Sequence, residues 1–228
     1  DQKQQLLEKI QVTVKGDLNQ QGQGETDKEG EVILPEIPAE TVRHGAYIVG
    51  YTDGTFRPEN QMTRAEAAAI FARLLAEQKN ENISPAKYAA FMDTSVNAWY
   101  ADYLNYLTGY GVSVGERSAF RPNEDITRAE LTAMAVRFFE ITGQTAEKGG
   151  NVQFNDVSGS YWAAEYIQEA ALYGWVQGYG NGSFKAESKI TRAEAVTLIN
   201  NLLGRSADSE YISNNGRRLN TFSDVYAA

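Results

Sequence analysis

The chain of 228 residues carries 21 Lys and Arg against 30 Asp and Glu, a net charge of −9 with a pI near 4.8. That acidity argues against general nucleic-acid binding, which needs a surplus of cations to neutralise phosphates. No run reaches the ~18 apolar residues of a membrane helix, and the lack of cysteine removes disulfides, thiolate nucleophiles and Cys-based zinc sites together.

At 42% hydrophobic residues, with 13 Tyr, 9 Phe and 3 Trp, the chain can bury a sizeable core. His44 is the single histidine, and no HExxH, GxSxG or Walker A pattern occurs. No catalytic residue, metal or cofactor is therefore expected. Gly178, Gly180 and Gly182 superficially suggest a phosphate loop, but they lie in a turn that recurs without them. The chain starts at Asp1 with no charged segment followed by an apolar one, so it reads as a processed chain or an excised piece.

Residues 1–43 are rich in Gln, Gly, Glu and Asp and read as a polar linker or the end of a preceding domain. Within them Leu6, Leu7 and Ile10 suit a short helix, and Val12 and Val14 a short strand. His44 falls on a surface loop. An aromatic turn follows, Gly50-Tyr51-Thr52-Asp53-Gly54-Thr55-Phe56, and then the tetrapeptide Thr-Arg-Ala-Glu at 63–66. Thr followed three residues later by Glu is a capping box, so a helix starts there. Ile70, Phe71, Leu74 and Leu75 give it an apolar stripe.

The next segment opens on Phe91-Met92-Asp93 and Trp99, with Asn97 as the expected cap of a first helix. A turn over 115–120 and the tetrapeptide at 127–130 lead into a second helix, with Met134, Ala135, Phe138 and Phe139 on its apolar face and Gly143 behind it. The pattern then repeats. Phe154-Asn155-Asp156-Val157 precedes Trp162, with Ser160 as cap, and Trp162, Tyr166, Ile167, Ala170 and Ala171 share one helical face ahead of Gly174. The turn Gly178-Tyr179-Gly180-Asn181-Gly182-Ser183-Phe184, the tetrapeptide at 191–194, and Leu198, Ile199, Leu202 and Leu203 ahead of Gly204 complete it. After a polar stretch over 206–220, Phe222-Ser223-Asp224-Val225 begins the pattern again.

The tetrapeptide thus recurs every 64 residues, and the Phe-x-Asp start at an offset of 63. Such coincidence marks a repeat architecture. The reading is all-α: three helix-turn-helix repeats in a pseudo-three-fold arrangement, with short irregular or strand-like turns. Repeat one spans 44–90 and lacks its first helix, repeat two 91–147 and repeat three 148–205; residues 206–228 are a linker and the start of a further segment. A two-helix unit cannot bury its own stripe, so units must pack on one another. A helix following Ala228 in the full protein is expected to complete the first repeat and close the ring.

The series Phe154, Asp156, Val157, Trp162, Ala163, Tyr166, Ile167, Gly178, Tyr179, Gly182, Phe184 and Ile190-Thr-Arg-Ala-Glu resembles the S-layer homology (SLH) repeat, over residues 44–205 and the terminal fragment. The middle turn departs from it, being one residue shorter, with Glu116-Arg117-Ser118 where the others carry Asp-Gly or Asn-Gly. The resemblance implies an exported bacterial surface protein whose repeats bind secondary cell-wall polymer or another peptidoglycan-linked glycan, often through a pyruvylated amino sugar. It also implies an extracellular setting at the cell wall or S-layer, with self-assembly left to other domains. Two alternatives stand beside this. The repeats act as a structural or protein-interaction module with degenerate sugar grooves, or they tether an extracellular enzyme domain outside this chain.

Arg64, Arg128 and Arg192 are placed at the first position of their helices. An Arg there offers a planar fork to a carboxylate, and the helix start adds free N–H groups and a favourable dipole. The alternative is that each Arg pairs with an acid such as Asp93 or Asp156; both can hold, the acid orienting the Arg that grips the ligand, which places Asp93 and Asp156 in the candidate binding site. Trp99 and Trp162 are either core anchors or sugar-facing rings. Gly54 and Gly182 serve turn geometry and leave their N–H groups approachable. Glu66, Glu130 and Glu194 are capping residues rather than catalytic acids. Arg57, Arg121 and Lys185 add local positive charge against the overall −9, whose long-range repulsion is damped beyond about 8–10 Å at physiological salt.

Overall fold

Among the described residues five helices form: α1 Arg64–Lys79, α2 Ala101–Gly109, α3 Arg128–Thr142, α4 Ala164–Leu172 and α5 Arg192–Leu202. They are seen in a computed structural model that describes residues 46–112, 119–144, 149, 152–205 and 222–225. The linker over 1–43 with its short helix and strand, His44, the middle turn at 115–118, the stretch over 206–220 and any continuation past Ala228 lie outside the described residues. Among the described residues there is no sheet, only the isolated bridges Gln61 with Thr191, Thr63 with Asp125 and Thr127 with Lys189.

The capping boxes form as read. Thr63, Thr127 and Thr191 each accept from the backbone N–H three residues on, and Glu66, Glu130 and Glu194 each accept the N–H of their own cap at 2.8–2.9 Å. Behind the caps α1 is buried almost all round, its six alanines letting neighbours approach closely. It packs on α2 and α3, while α3 packs on α4 and α5. Phe71 and Phe138 meet across the α1–α3 contact with ring centroids 5.6 Å apart, both fully buried. Truncating either to Ala removes a large core side chain, a change worth about 3–5 kcal/mol.

The first helices of repeats two and three differ from expectation at their starts. Asn97 and Ser160 are not caps: α2 and α4 begin at Ala101 and Ala164, with Tyr100 and Ala163 as N-caps and no side-chain cap bond. Instead the backbone winds in through two tight turns, Ala98 N to Ser95 O then Ala101 N to Ala98 O, and Tyr161 N to Ser158 O then Ala164 N to Tyr161 O. Trp99 and Trp162 sit on that lead-in, ahead of the helices, and so escape the buried face that Ile167, Ala170 and Ala171 share.

A closed circuit of backbone bonds links the three tetrapeptides. Met62 N donates to Ile190 O, Ile190 N to Ile126 O and Ile126 N to Met62 O, at 2.8–3.1 Å, and all three side chains are fully buried. The first two N–H groups of each tetrapeptide helix extend it. Arg64 and Ala65 donate to Glu124 O and Pro122 O, Arg128 and Ala129 to Ser188 O and Ala186 O, and Arg192 and Ala193 to Asn60 O and Pro58 O. Each helix start is thereby satisfied by the turn of a different repeat, which uses the donors a helix otherwise leaves unpaired.

Candidate functional site

The aromatic turns are built around glycine. In the first, Tyr51 N donates to Thr55 O, and Gly54, at φ +81°, donates back to Tyr51 O. In the third, Tyr179 N donates to Ser183 O, and Gly182, at φ +78°, donates to Tyr179 O. Their N–H groups are thus committed inside the turn. Gly50 and Gly178 matter for another reason: a Cβ on them would come within 2.2 Å of the Phe222 ring and 2.6 Å of the Phe154 ring.

Those rings belong to the Phe-x-Asp starts, each of which clamps a turn. Phe91, Phe154 and Phe222 pack on Phe120, Phe184 and Phe56, with centroids 5.1–5.4 Å apart. Two residues later Asp93 accepts from Phe120 N and Arg121 N, Asp156 from Phe184 N and Lys185 N, and Asp224 from Phe56 N and Arg57 N, all at 2.6–2.8 Å. Arg57, Arg121 and Lys185 stand at φ +56° to +58°, a left-handed conformation that these carboxylates hold in place. Burial pushes the Asp93 and Asp156 carboxyls up, but the paired N–H groups outweigh it and keep both below the usual range; at Asp224 those N–H groups are the leading influence, with the same result. The terminal Phe222–Asp224 segment therefore does for the first turn what Phe91–Asp93 and Phe154–Asp156 do for the others.

Asp93 and Asp156 are spent on backbone, so the acids facing the arginines are the capping glutamates. Arg64 meets Glu130 at 2.5 Å, Arg128 meets Glu194 at 3.6 Å and Arg192 meets Glu66 at 3.1 Å, a second circuit through the repeats. Each guanidinium also donates to the carbonyl of the turn phenylalanine, Phe120, Phe184 or Phe56, and lies over that ring at 4.7–4.9 Å. Arg64 and Arg192 are 6% and 3% exposed, and Arg128 is half-buried. The free helix-start N–H groups expected beside them are taken up by the turn carbonyls described above.

Among the described residues, clefts lie at Arg192 and Arg128. One of about 200 Å³ is lined by Val49, Tyr51, Glu66, Arg73, Trp99 and Arg192. A second, of about 260 Å³, is lined by Arg128, Thr132, Trp175, Gln177, Glu194 and Asn201 among others. Trp99 and Trp162 are 58% and 54% exposed, so neither anchors the core; that part is played by Trp175, 3% exposed, against Phe139 and Tyr173. Tyr51 and Tyr179, which sequence reading passed over as site residues, cover the guanidinium groups of Arg192 and Arg128 at 5.0 and 5.1 Å. Their recurrence directly after Gly50 and Gly178 is the signal that was there to find. Among the described residues no group of three or more His, Cys, Asp or Glu is placed to hold a metal, and no helix is long and apolar enough to cross a membrane.

Comparison with known proteins fits this geometry. The chain is 38% identical to cell surface glycoprotein 1 of Acetivibrio thermocellus, with 71% of the chain aligned to 7% of that protein. It is 37% identical to the cellulosome-anchoring protein of the same organism, over 72% of the chain and 37% of the relative. It is 35% identical to an amylopullulanase of Thermoanaerobacterium thermosulfurigenes, over 71% of the chain and 8% of the relative. The chain thus corresponds to a minor part of each. The S-layer homology domain family matches residues 39–68, 91–132 and 153–196, together just over half of the chain, each match ending at or just beyond a Thr-Arg-Ala-Glu helix start. With the capped tetrapeptides, the clamped aromatic turns and these matches in place, the chain belongs to the S-layer homology domain family.

Proposed function

We propose that this chain is a non-catalytic module that anchors a bacterial surface protein to the cell wall by binding an acidic wall polysaccharide, a pyruvylated amino sugar in particular, in clefts between its repeats. The setting is the cell surface. The repeats are 44–90, 91–147 and 148–205, arranged around a pseudo-three-fold axis. The closed circuit through Met62, Ile126 and Ile190 supports that arrangement.

The observation that carries the binding reading is the cleft holding Trp99, more than half exposed, beside Arg192. A large aromatic ring left to water in a cleft offers an apolar face to a pyranose, and a cation beside it suits an acidic sugar. Arg128 lines the equivalent cleft at the third turn. Asp156, Gly54 and Gly182 shape the turns that rim the two clefts, Asp93 holds the middle turn, and Trp162 presents a second exposed ring. Several moderate sites on one polymer raise avidity without any single tight contact.

Relatives bearing names as different as a cell surface glycoprotein and an amylopullulanase share this segment over only 7–8% of their lengths, which supports a portable attachment role separate from catalysis. The test is retention on purified sacculi before and after acid extraction of their accessory polymers. Retention only before extraction is expected. Equal retention on both would move the reading toward peptidoglycan itself, and retention on neither would favour a protein-interaction role.

A further inference from the structure

The three tetrapeptide arginines already have carboxylate partners. Each faces a capping glutamate of another repeat, so a sugar carboxylate brought to them meets a neutralised pair. A different arginine stands nine residues further along two of the three helices: Arg73 on α1 and Arg137 on α3, with Asn201 at the corresponding place on α5.

Arg73 donates to Tyr47 O and Tyr103 Oη at 3.3 Å and lies over the Tyr103 ring at 4.7 Å. Arg137 donates to Tyr166 Oη at 3.2–3.3 Å and lies over that ring at 4.8 Å. Both are half-buried, and among the described residues neither forms an ion pair. Tyr103 and Tyr166 each follow an exposed tryptophan, Trp99 or Trp162, by four residues, and Arg73 shares the small cleft with Trp99. A cation held by neutral partners beside a cleft keeps its full charge for an incoming anion, and its planar fork pairs two oxygens at once.

We propose that Arg73 and Arg137, rather than the tetrapeptide arginines, grip the carboxylate of the bound sugar, and that the cleft at Asn201 takes a sugar without one. This rests on the wall-polymer reading above and divides it: the Arg73 cleft, and by repeat equivalence the Arg137 position, select acidic residues of the polymer, and the Asn201 cleft does not. The carboxylate could be a ketal or a uronic acid, and the guanidinium recognises the group common to both.

The test measures binding of the full chain to purified wall polymer, to polymer with its carboxyl groups reduced to alcohols, and to polymer stripped of ketals only. The wild-type chain is expected to prefer untreated over reduced polymer by about ten- to hundredfold, the scale of one charge-assisted hydrogen bond. The pair Arg73→Gln with Arg137→Gln should bind both polymers alike at the reduced-polymer level, whereas Arg73→Lys with Arg137→Lys should keep part of the preference. Ketal stripping that reproduces the reduction assigns the carboxylate to the ketal; stripping without effect assigns it to a uronic acid. Should the Gln pair lower the melting temperature, Asn201→Arg carries the test, because it adds a guanidinium to the Asn201 cleft and should enlarge the preference. A Gln pair that still prefers untreated polymer, or an Asn201→Arg chain with no added preference, overturns the proposal and leaves the anchoring reading standing. A wild-type chain that binds none of the polymers overturns both.

Discussion

Arg192 and Glu66 meet at 3.1 Å although 126 residues separate them, the guanidinium 3% and the carboxylate side chain 22% exposed. Glu66 simultaneously accepts the Thr63 N–H, so one carboxylate caps α1 and ties the first residue of α5 to that cap. Local helix chemistry and the association of repeats are therefore the same contact.

This yields an order of sensitivities. Replacing Glu66 or Glu130 with Gln keeps a capping-box residue but leaves Arg192 or Arg64 buried without its counter-charge. We expect a loss at the low end of the ~3–5 kcal/mol seen when a buried pair loses one partner. Glu194→Gln should cost less than about 1 kcal/mol, since its pair with Arg128 is 3.6 Å long and its side chain 37% exposed. Urea denaturation of the three variants checks the order, and equal effects would contradict it.

Two glycines of the same turn should respond differently. Gly54→Ala meets open space and carries only the left-handed backbone penalty, about 1 kcal/mol. Gly50→Ala drives a Cβ into the Phe222 ring and to 2.7 Å from Thr55 O, so the Phe-x-Asp clamp must shift. Thermal melts should show Gly50→Ala the more damaging, and Gly178→Ala should act likewise against Phe154.

The stapling aspartates set an acid limit. Their carboxyls lie below the ordinary value of about 3.9 in the folded chain, so the unfolded chain binds more protons in that range. Stability from them is fully present above about pH 4 and is lost as pH falls through the depressed values. Melting temperature should drop steeply below pH 4 in the wild-type chain and less steeply in Asp93→Asn and Asp156→Asn, which start lower at neutral pH. A parallel drop in all three would contradict the assignment.

Much of the fold was legible because helix starts depend on local chemistry. Thr and Glu three apart gave all three capped helices to the residue, and every apolar stripe position on them is buried except Leu203, which is partly so. The site was less legible. Which acid meets which arginine depends on how repeats pack, and an offset of one whole repeat is invisible to local reading; hence Asp93 and Asp156 were weighed as partners while the capping glutamates took that place. Trp99 and Trp162 fit a helical face by spacing, but the turns at Ser95 and Ser158 end that periodicity before it reaches them. Arg73 and Arg137 carry a further signal, the same residue at the same offset in two repeats, which the reading of the sequence did not use.

The most direct measurement of the central claim is retention of the Trp99→Ala, Trp162→Ala double variant on sacculi that keep their accessory polymer. Both rings are more than half exposed, so the melting temperature should stay within a few degrees of wild type. Binding at the clefts predicts that retention falls about five- to hundredfold, about 0.5–1.5 kcal/mol for each of the two ring faces lost. A folded double variant retained as well as the wild-type chain would show that the polymer, if bound, sits elsewhere.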